Sequence, residues 1–373
     1  MKYIDEYRDP DLAKKIVADI KNEVDPNRQY RFMEFCGGHT HAFFRFGVPD
    51  LLPDNLKLVH GPGCPVCVLP MSRLDLAIEL AEKPNVILCS YGDMMRVPGS
   101  GRKSLLTARS NGADVRMVYS ALDAIRLAQE NPQREVVFFG IGFETTTPPS
   151  ALLLKQAEKL GIENLSLFCN HLLTPSAIAS ILDSPEIRDL DRLKLDGFLG
   201  PAHVSTVIGC QPFEYFASEY QKPVVIAGFE PVDLLQAVLM LVRQVNDGRH
   251  EIENEYARAV THHGNQKAKA IVAECFELKK TFEWRGLGYV PYSGLKIKKQ
   301  FSKFDAEVKF SLQAKEAKEN RACECPGILR GVKEPQDCKL FGKVCTPDHP
   351  IGACMVSSEG ACAAWYRYRR NNM

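Results

Sequence analysis

No stretch of this chain approaches the ~18 consecutive apolar residues of a membrane-crossing helix, and DLLQAVLMLV, the nearest to one, is short. The opening MKYIDEYRDPDLAKKIV mixes acids with bases and lacks the apolar centre of a signal peptide. A formal net charge of +1 leaves no global field to gather nucleic acid or a membrane surface. These absences argue a cytoplasmic protein that partners neither. Two chemical signatures are missing as well. Gly99-Ser100-Gly101-Arg102-Lys103-Ser104 looks like a phosphate loop but has no glycine directly before the lysine, so the nucleotide reading fails. No C-x3-C-x2-C occurs, which removes the usual radical adenosylmethionine signature.

What is present in excess is cysteine, with 13 residues. Stable disulfides are not expected in the cytoplasm, so metal or redox chemistry is the default reading and an exported, disulfide-stapled protein the alternative. At 373 residues the chain is too long for one simple core, and one domain per ~150 residues gives two or three. Hydrophobic content of 45% and charge of 25% are those of an ordinary globular protein.

Asp9-Pro10 opens a helix with an N-cap and a proline at the first helical position. Leu12, Ile16, Ile20 and Val24 then form one apolar stripe. From Tyr30 the rhythm changes to short apolar runs, 30–35, 56–59, 86–89, 115–118, 135–139, 165–169, 197–199 and 223–227, separated by segments of helical composition. Several runs are apolar nearly throughout, as strands covered on both faces are. The alternation predicts α/β architecture, with parallel sheets and crossover helices. The expected division is an N-terminal helix over 1–29, one α/β domain over 30–148, a second over 149–246, and a small cysteine-rich domain over 247–373. GFETTTP and GFEPVD, each after a strand, are a weak internal echo of the two halves.

The strand-end segments CGGHTH, GPGCPVC, SYGDMMRVPG, GIGFETTTP, NHLLTP, GPAHVS and AGFEPVD carry the chemistry. Open α/β sheets place their sites at that rim. Cys36, His39, His41, His60, Cys64 and Cys67 fall within 32 residues. Cys36 precedes two glycines, which predicts an accessible thiol and close approach of backbone amides to a ligand. Cys64-Pro65-Val66-Cys67 has the spacing of a redox dithiol or half of a metal site. If Pro65 begins a helix, its dipole favours the Cys64 thiolate. Unrelated structural thiols are the plain alternative. His39, His41 and His203 are candidate hydrogen-bond or proton donors to an iron-bound ligand, against the commoner role of structural hydrogen-bonder. Glu144, with Thr145 and Thr146, is a candidate for orienting substrate or partner, the alternative for Thr146 being a helix N-cap. His262-His263 reads as solvated surface, and Cys89, Cys169, Cys210 and Cys275 as small core residues.

The tail holds Cys323, Cys325, Cys338, Cys345, Cys354 and Cys362. Cys325, Cys338, Cys345 and Cys362 give C-x12-C-x6-C-x16-C on loops rich in Gly and Pro. Four such thiolates suit zinc or an iron–sulfur cluster, the lack of a close C-x2-C pair favours the cluster, and simple free thiols are the plain alternative.

CGGHTH, HGPGCPVCVLP, GFETTTP, GPAHVS, AGFEPVDLLQ, EWRGLG and MVSSEGACAAWYRY together resemble the HypD family of nickel-iron hydrogenase maturation proteins, over essentially the whole chain. The resemblance implies two α/β domains plus a smaller one holding a 4Fe-4S cluster. It implies a part in building the iron centre with two cyanides and one carbon monoxide, Fe(CN)2CO, for the hydrogenase large subunit. The work is done in complex with the small chaperone HypC, with cyanide received from HypE, whose thiocyanate forms with the help of the carbamoyltransferase HypF. By motif, Cys36 is the implied ligand of the iron under construction. Cys64 and Cys67 are paired thiols able to bind iron or to cycle between dithiol and disulfide. Cys325, Cys338, Cys345 and Cys362 are the implied cluster ligands, with a shifted set using Cys323 left open. That makes the chain a redox-active assembly factor rather than a conventional turnover enzyme. The rival readings are a non-catalytic iron-carrying scaffold and a general thiol-disulfide oxidoreductase.

Overall fold

The computed structural model describes residues 4–184, 194–315, 317 and 320–369. All eight expected strands form: β1 (Tyr30–Glu34), β2 (Leu56–His60), β3 (Val86–Ser90), β4 (Asp114–Met117), β5 (Glu135–Gly142), β6 (Leu165–His171), β7 (Gly197–Pro201) and β8 (Val224–Ala227). A ninth, β9 (Ile252–Asn254), was not foreseen. The strands sort into two fully parallel sheets, ordered β2-β1-β7-β8-β9 and β4-β3-β5-β6. β5 is buried along nearly its whole length, as its unbroken apolar run requires of a strand covered on both faces.

The sheets do not follow the expected halves. The boundary at Pro148 falls between β5 and β6, which pair over seven residues in one sheet. The first sheet is started by β1 and β2, left while the chain builds the second sheet, and completed by β7 to β9 on the far side of β1. Chain direction across the sheet therefore reverses at β1, the switch point where such sheets bind ligands. The residue following the C-terminal end of β1 is Phe35, and the next is Cys36.

The N-terminal helix runs Pro10–Glu23, with the Asp9 carboxylate accepting from the amides of Asp11 and Leu12. Ile16 and Ile20 are buried in the core shared with the long helix Pro231–Asn246, whereas Leu12, at the end of the predicted stripe, is 41% exposed. Past residue 246 the chain serves both sheets before reaching the cysteine-rich segment. β9 lengthens the first, and Phe276, Leu295 and Ile297, from the antiparallel pair β10 (Phe276–Leu278) and β13 (Leu295–Ile297), enter the core of the second. β11 (Thr281–Trp284) and β12 (Gly288–Pro291) make a hairpin between them. Among the described residues no helix is long and apolar enough to cross a membrane.

Candidate functional site

β1 and β2 lie in register, Glu34 opposite His60, and their C-terminal ends converge. The Gly61 amide donates to the Glu34 carbonyl at 2.7 Å, and the Gly37 amide to the Gly63 carbonyl at 2.9 Å. Gly63 crosses so close to β1's end that a Cβ on it would sit 2.2 Å from the Cys36 nitrogen. This contact brings the residue before Cys64 against the backbone of Cys36. Cys64 and Cys67 are joined by a disulfide around the single turn Pro65–Val68, one of the two states a redox dithiol cycles between.

The segment after Cys36 is a helix, Gly37–Arg45, and not the loop its glycines predict. Glycine costs a helix least in its first turn, where the amides lack intrahelical partners anyway. Here both glycines are needed for space. A Cβ at Gly37 would meet Glu359 Cβ at 2.4 Å, and one at Gly38 the Phe229 ring at 2.9 Å. Downstream, Ala42, Phe43 and Phe44 anchor the helix by burial.

The same crowding corrects the expected exposure of Cys36, which is only 2% accessible. Burial pushes its thiol well above the usual range, and the neighbouring Glu359 adds to this. His203, at the end of β7 in the first turn of the helix Ala202–Ile208, places Nδ1 3.6 Å from Cys36 Sγ. Burial lowers the His203 pKa to about 4, so its imidazole is neutral near pH 7. Beneath them lies Glu34, fully buried, which the motif reading passed over. Its carboxylate accepts from the Cys36 amide at 3.0 Å, from the Thr40 hydroxyl, and pairs with His60 Nδ1 at 2.8 Å. Burial raises its pKa above the usual carboxylate range against the pull of His60. The available signal was a lone acid in the otherwise largely apolar strand YRFME.

The other predicted residues are placed as follows. His39 is buried, with Nε2 3.0 Å from the carbonyls of both Ala227 and Gly228, so Nε2 carries the proton. Burial lowers its pKa to about 4. His39 and His203 flank the Phe229 ring, at 4.9 and 5.4 Å between ring centres. His41 is tied to the chain's last segment instead, through the Ser358 carbonyl at 3.2 Å and the Tyr368 hydroxyl at 3.3 Å. Glu144 belongs to the rim of the second sheet. It accepts from the Thr174 amide at 2.8 Å and hydroxyl at 2.7 Å, and burial raises its pKa to about 7. Thr146 does not cap the following helix; its hydroxyl donates to the Phe143 carbonyl at 3.0 Å. The two rims are linked by packing, since Ile141 and Phe143 share an apolar core with Cys64 and Cys67.

That core continues into the tail. Cys325, Cys338, Cys345 and Cys362 line one small cavity, and Cys323 and Cys354 line it with them. Cys325 Sγ lies 2.6 Å from Cys354 Sγ, and the Ile351 amide donates to Cys345 Sγ at 3.3 Å. Gly352 is held so close that a Cβ would meet Cys323 Sγ at 2.7 Å. Among the described residues no three Cys, His, Asp or Glu side chains converge as a single metal ion requires. Cys89, Cys169, Cys210 and Cys275 are buried in apolar surroundings, and His262 and His263 are exposed.

A family model described as "HypD: Hydrogenase formation hypA family" matches residues 11–369. The chain is 64% identical over 370 residues to a hydrogenase maturation factor HypD of Azotobacter vinelandii, covering 99% of this chain and 97% of that protein. It is 64% identical to the factor of that name in Rhizobium leguminosarum bv. viciae, covering 99% and 96%. Against that of Escherichia coli (strain K12) the identity is 46% over 375 residues, covering 99% of each.

Proposed function

Because the chain belongs to the HypD family, we propose that it is a hydrogenase maturation factor whose Cys36 holds an iron ion, its cargo, while the cyanide and carbonyl ligands of Fe(CN)2CO are attached. It works bound to HypC, takes cyanide from HypE, and passes the product toward the hydrogenase large subunit. The observation that supports this reading best is the meeting of the β1 and β2 ends at the switch point of a parallel sheet, which packs Gly63, the residue before the Cys64–Cys67 pair, against the backbone of Cys36. Soft thiolates suit Fe(II).

Releasing cyanide from a protein thiocyanate is a two-electron reduction. The S–CN bond breaks, leaving a thiolate on the donor and a cyanide ion. The dithiol form of Cys64 and Cys67 supplies both electrons by closing to the disulfide, with two protons released. His203 beside Cys36 accepts or donates a hydrogen bond at the sulfur, and Glu34 fixes the backbone that carries it.

The gathering of the spaced tail thiols around one cavity supports a 4Fe-4S cluster as their ligand, because a cluster spreads its thiolates around a larger body than a single ion. Cys325, Cys338, Cys345 and Cys362 would hold it, and the close approach of Gly352 and the Ile351 amide to the sulfurs suits a cradle for it. Bound there, such a cluster supplies reducing equivalents.

Infrared spectra of the anaerobically copurified complex test the reading. Cys36→Ala should abolish the iron-bound cyanide and carbonyl bands while the cluster absorption persists. Bands that survive the substitution overturn it.

A further inference from the structure

A groove of about 640 Å³ runs along β2, the edge strand of the first sheet. Register fixes which backbone groups face it. The Tyr30 amide donates to the Asn55 carbonyl and the Gly61 amide to the Glu34 carbonyl, with Tyr30 opposite Leu56 and Glu34 opposite His60. A parallel strand bonds a given neighbour through every second residue, so Lys57 and Val59 turn their amides and carbonyls toward β1. Leu56, Leu58 and His60 turn theirs away. Among the described residues no hydrogen bond reaches the Leu58 or His60 backbone from that side, and the Leu56 amide alone is used, by the Pro53 carbonyl.

Lys333, Phe44 and Trp365 also line the groove, and the tail closes one end of it at Gly331, where a Cβ would meet Val59 Cγ1 at 2.5 Å and the His60 carbonyl oxygen at 3.2 Å, so the open part of the edge is Leu58 and the His60 amide. An unpaired strand edge beside a walled groove is a template for one kind of guest, an extended polypeptide. Lys57 is the one exposed residue of β2, and no ion pair meets it among the described residues. Its charge disfavours pairing with a second copy of the same strand and favours a guest with an acid opposite it. At its far end the groove reaches His60, whose Nδ1 pairs with Glu34 beneath Cys36, so the guest lies next to the thiol site.

We propose that the free edge of β2 takes an extended, proline-free segment of the partner protein as an added strand, with an acidic side chain set against Lys57. This rests on the reading above that the protein works bound to HypC, and it deepens that reading by naming the recognition mode.

The experiment titrates purified HypC into the full-length protein by calorimetry and follows residue-resolved amide hydrogen exchange in the free and bound states. Leu58→Pro removes an outward donor and leaves the β1 ladder intact, so it should weaken binding at least tenfold, whereas Leu58→Ala should bind as the wild type does. The unmutated chain gives the alternating signature: the Leu58 and His60 amides gain protection on binding, and the already bonded Lys57 and Val59 amides do not. Tight binding with unchanged exchange at Leu58 and His60 overturns the added strand but leaves the proposed function standing. No binding by the intact chain overturns both. Protection that appears with rising concentration of this protein alone assigns the edge to a second copy and overturns the proposal.

Discussion

The thiol of Cys36 and the imidazole of His203, 167 residues apart in the chain, meet at 3.6 Å because β1 and β7 are neighbours in one sheet. Neither strand alone carries the pair. The contact exists only after the chain has left the first sheet, built the second and returned.

If that imidazole orients the metal-binding sulfur, His203→Ala should weaken iron retention without abolishing it. Removing a hydrogen-bonding partner of a ligand costs on the order of 10- to 100-fold in metal affinity. The expected result is a fall of that size in iron held per chain after anaerobic dialysis, with the cluster absorption unchanged, because His203 contacts Cys36 and Phe229 rather than the tail cysteines. Retention equal to wild type would assign His203 to packing against Phe229 alone.

Glu144 gives a pH dependence with a definite sign. Its pKa rises on folding from 4.5 to about 7, so the native state binds the proton more tightly than the unfolded chain. Its contribution to stability is fully present below about pH 4.5 and is lost as pH rises through about 7. At ~1.4 kcal/mol per pH unit the change amounts to at most about 3.5 kcal/mol. His39, His171 and His203, lowered from 6.5 to about 4, act in the opposite direction and stabilise the fold as pH rises over that range. The wild-type curve alone therefore hides the Glu144 effect. Glu144→Gln keeps an acceptor for the Thr174 amide and does not titrate. Urea unfolding at pH 5 and pH 7.5 should show the variant gaining on wild type as pH rises. A constant difference between the two would mean that the carboxyl is already ionised in the folded state at pH 5.

How far the sequence carried differs from element to element. Every strand run from Tyr30 to Ala227 was legible, most plainly where a buried parallel strand such as β3, β5 or β8 is apolar nearly throughout. The helix after Cys36 was not. Gly37 and Gly38 read as a loop, and the bulk that demands them, Glu359 and Phe229, comes from distant parts of the chain. The burial of Cys36 was hidden for the same reason. The grouping of strands into sheets was hidden too, since nothing local records that β7 returns to the far side of β1. Clustering of the tail cysteines was readable from composition, yet Cys354 was left outside the set although its sulfur touches that of Cys325.

Gly63 tests how closely the two strand ends must approach. An added Cβ would fall 2.2 Å from the Cys36 nitrogen and 2.3 Å from the Phe35 carbonyl carbon, both backbone atoms that no rotamer change can move. Gly63→Ala should therefore cost more than the ~1–3 kcal/mol of ordinary overpacking and should separate Cys64 from Cys36. At Gly99 the nearest obstacle is the Asp75 carboxylate, the end of a side chain, so Gly99→Ala should be mild. Paired thermal unfolding curves check the contrast, and equal losses at the two sites would refute the close crossing.

The tail cavity offers six thiols where a four-iron cluster takes four. With the ligands assigned to Cys325, Cys338, Cys345 and Cys362, alanine at any of these should lower both iron and acid-labile sulfide in anaerobically purified protein. Alanine at Cys323 should leave both near wild type, because Cys323 is the least buried of the six. Cys354 is the sharper case. It is 1% exposed and in contact with Cys325, so Cys354→Ala leaves a void in the cavity wall and should reduce thermal stability while iron and sulfide stay bound. If instead iron is lost in Cys354→Ala and kept in one of the assigned four, the ligand set must be redrawn around Cys354.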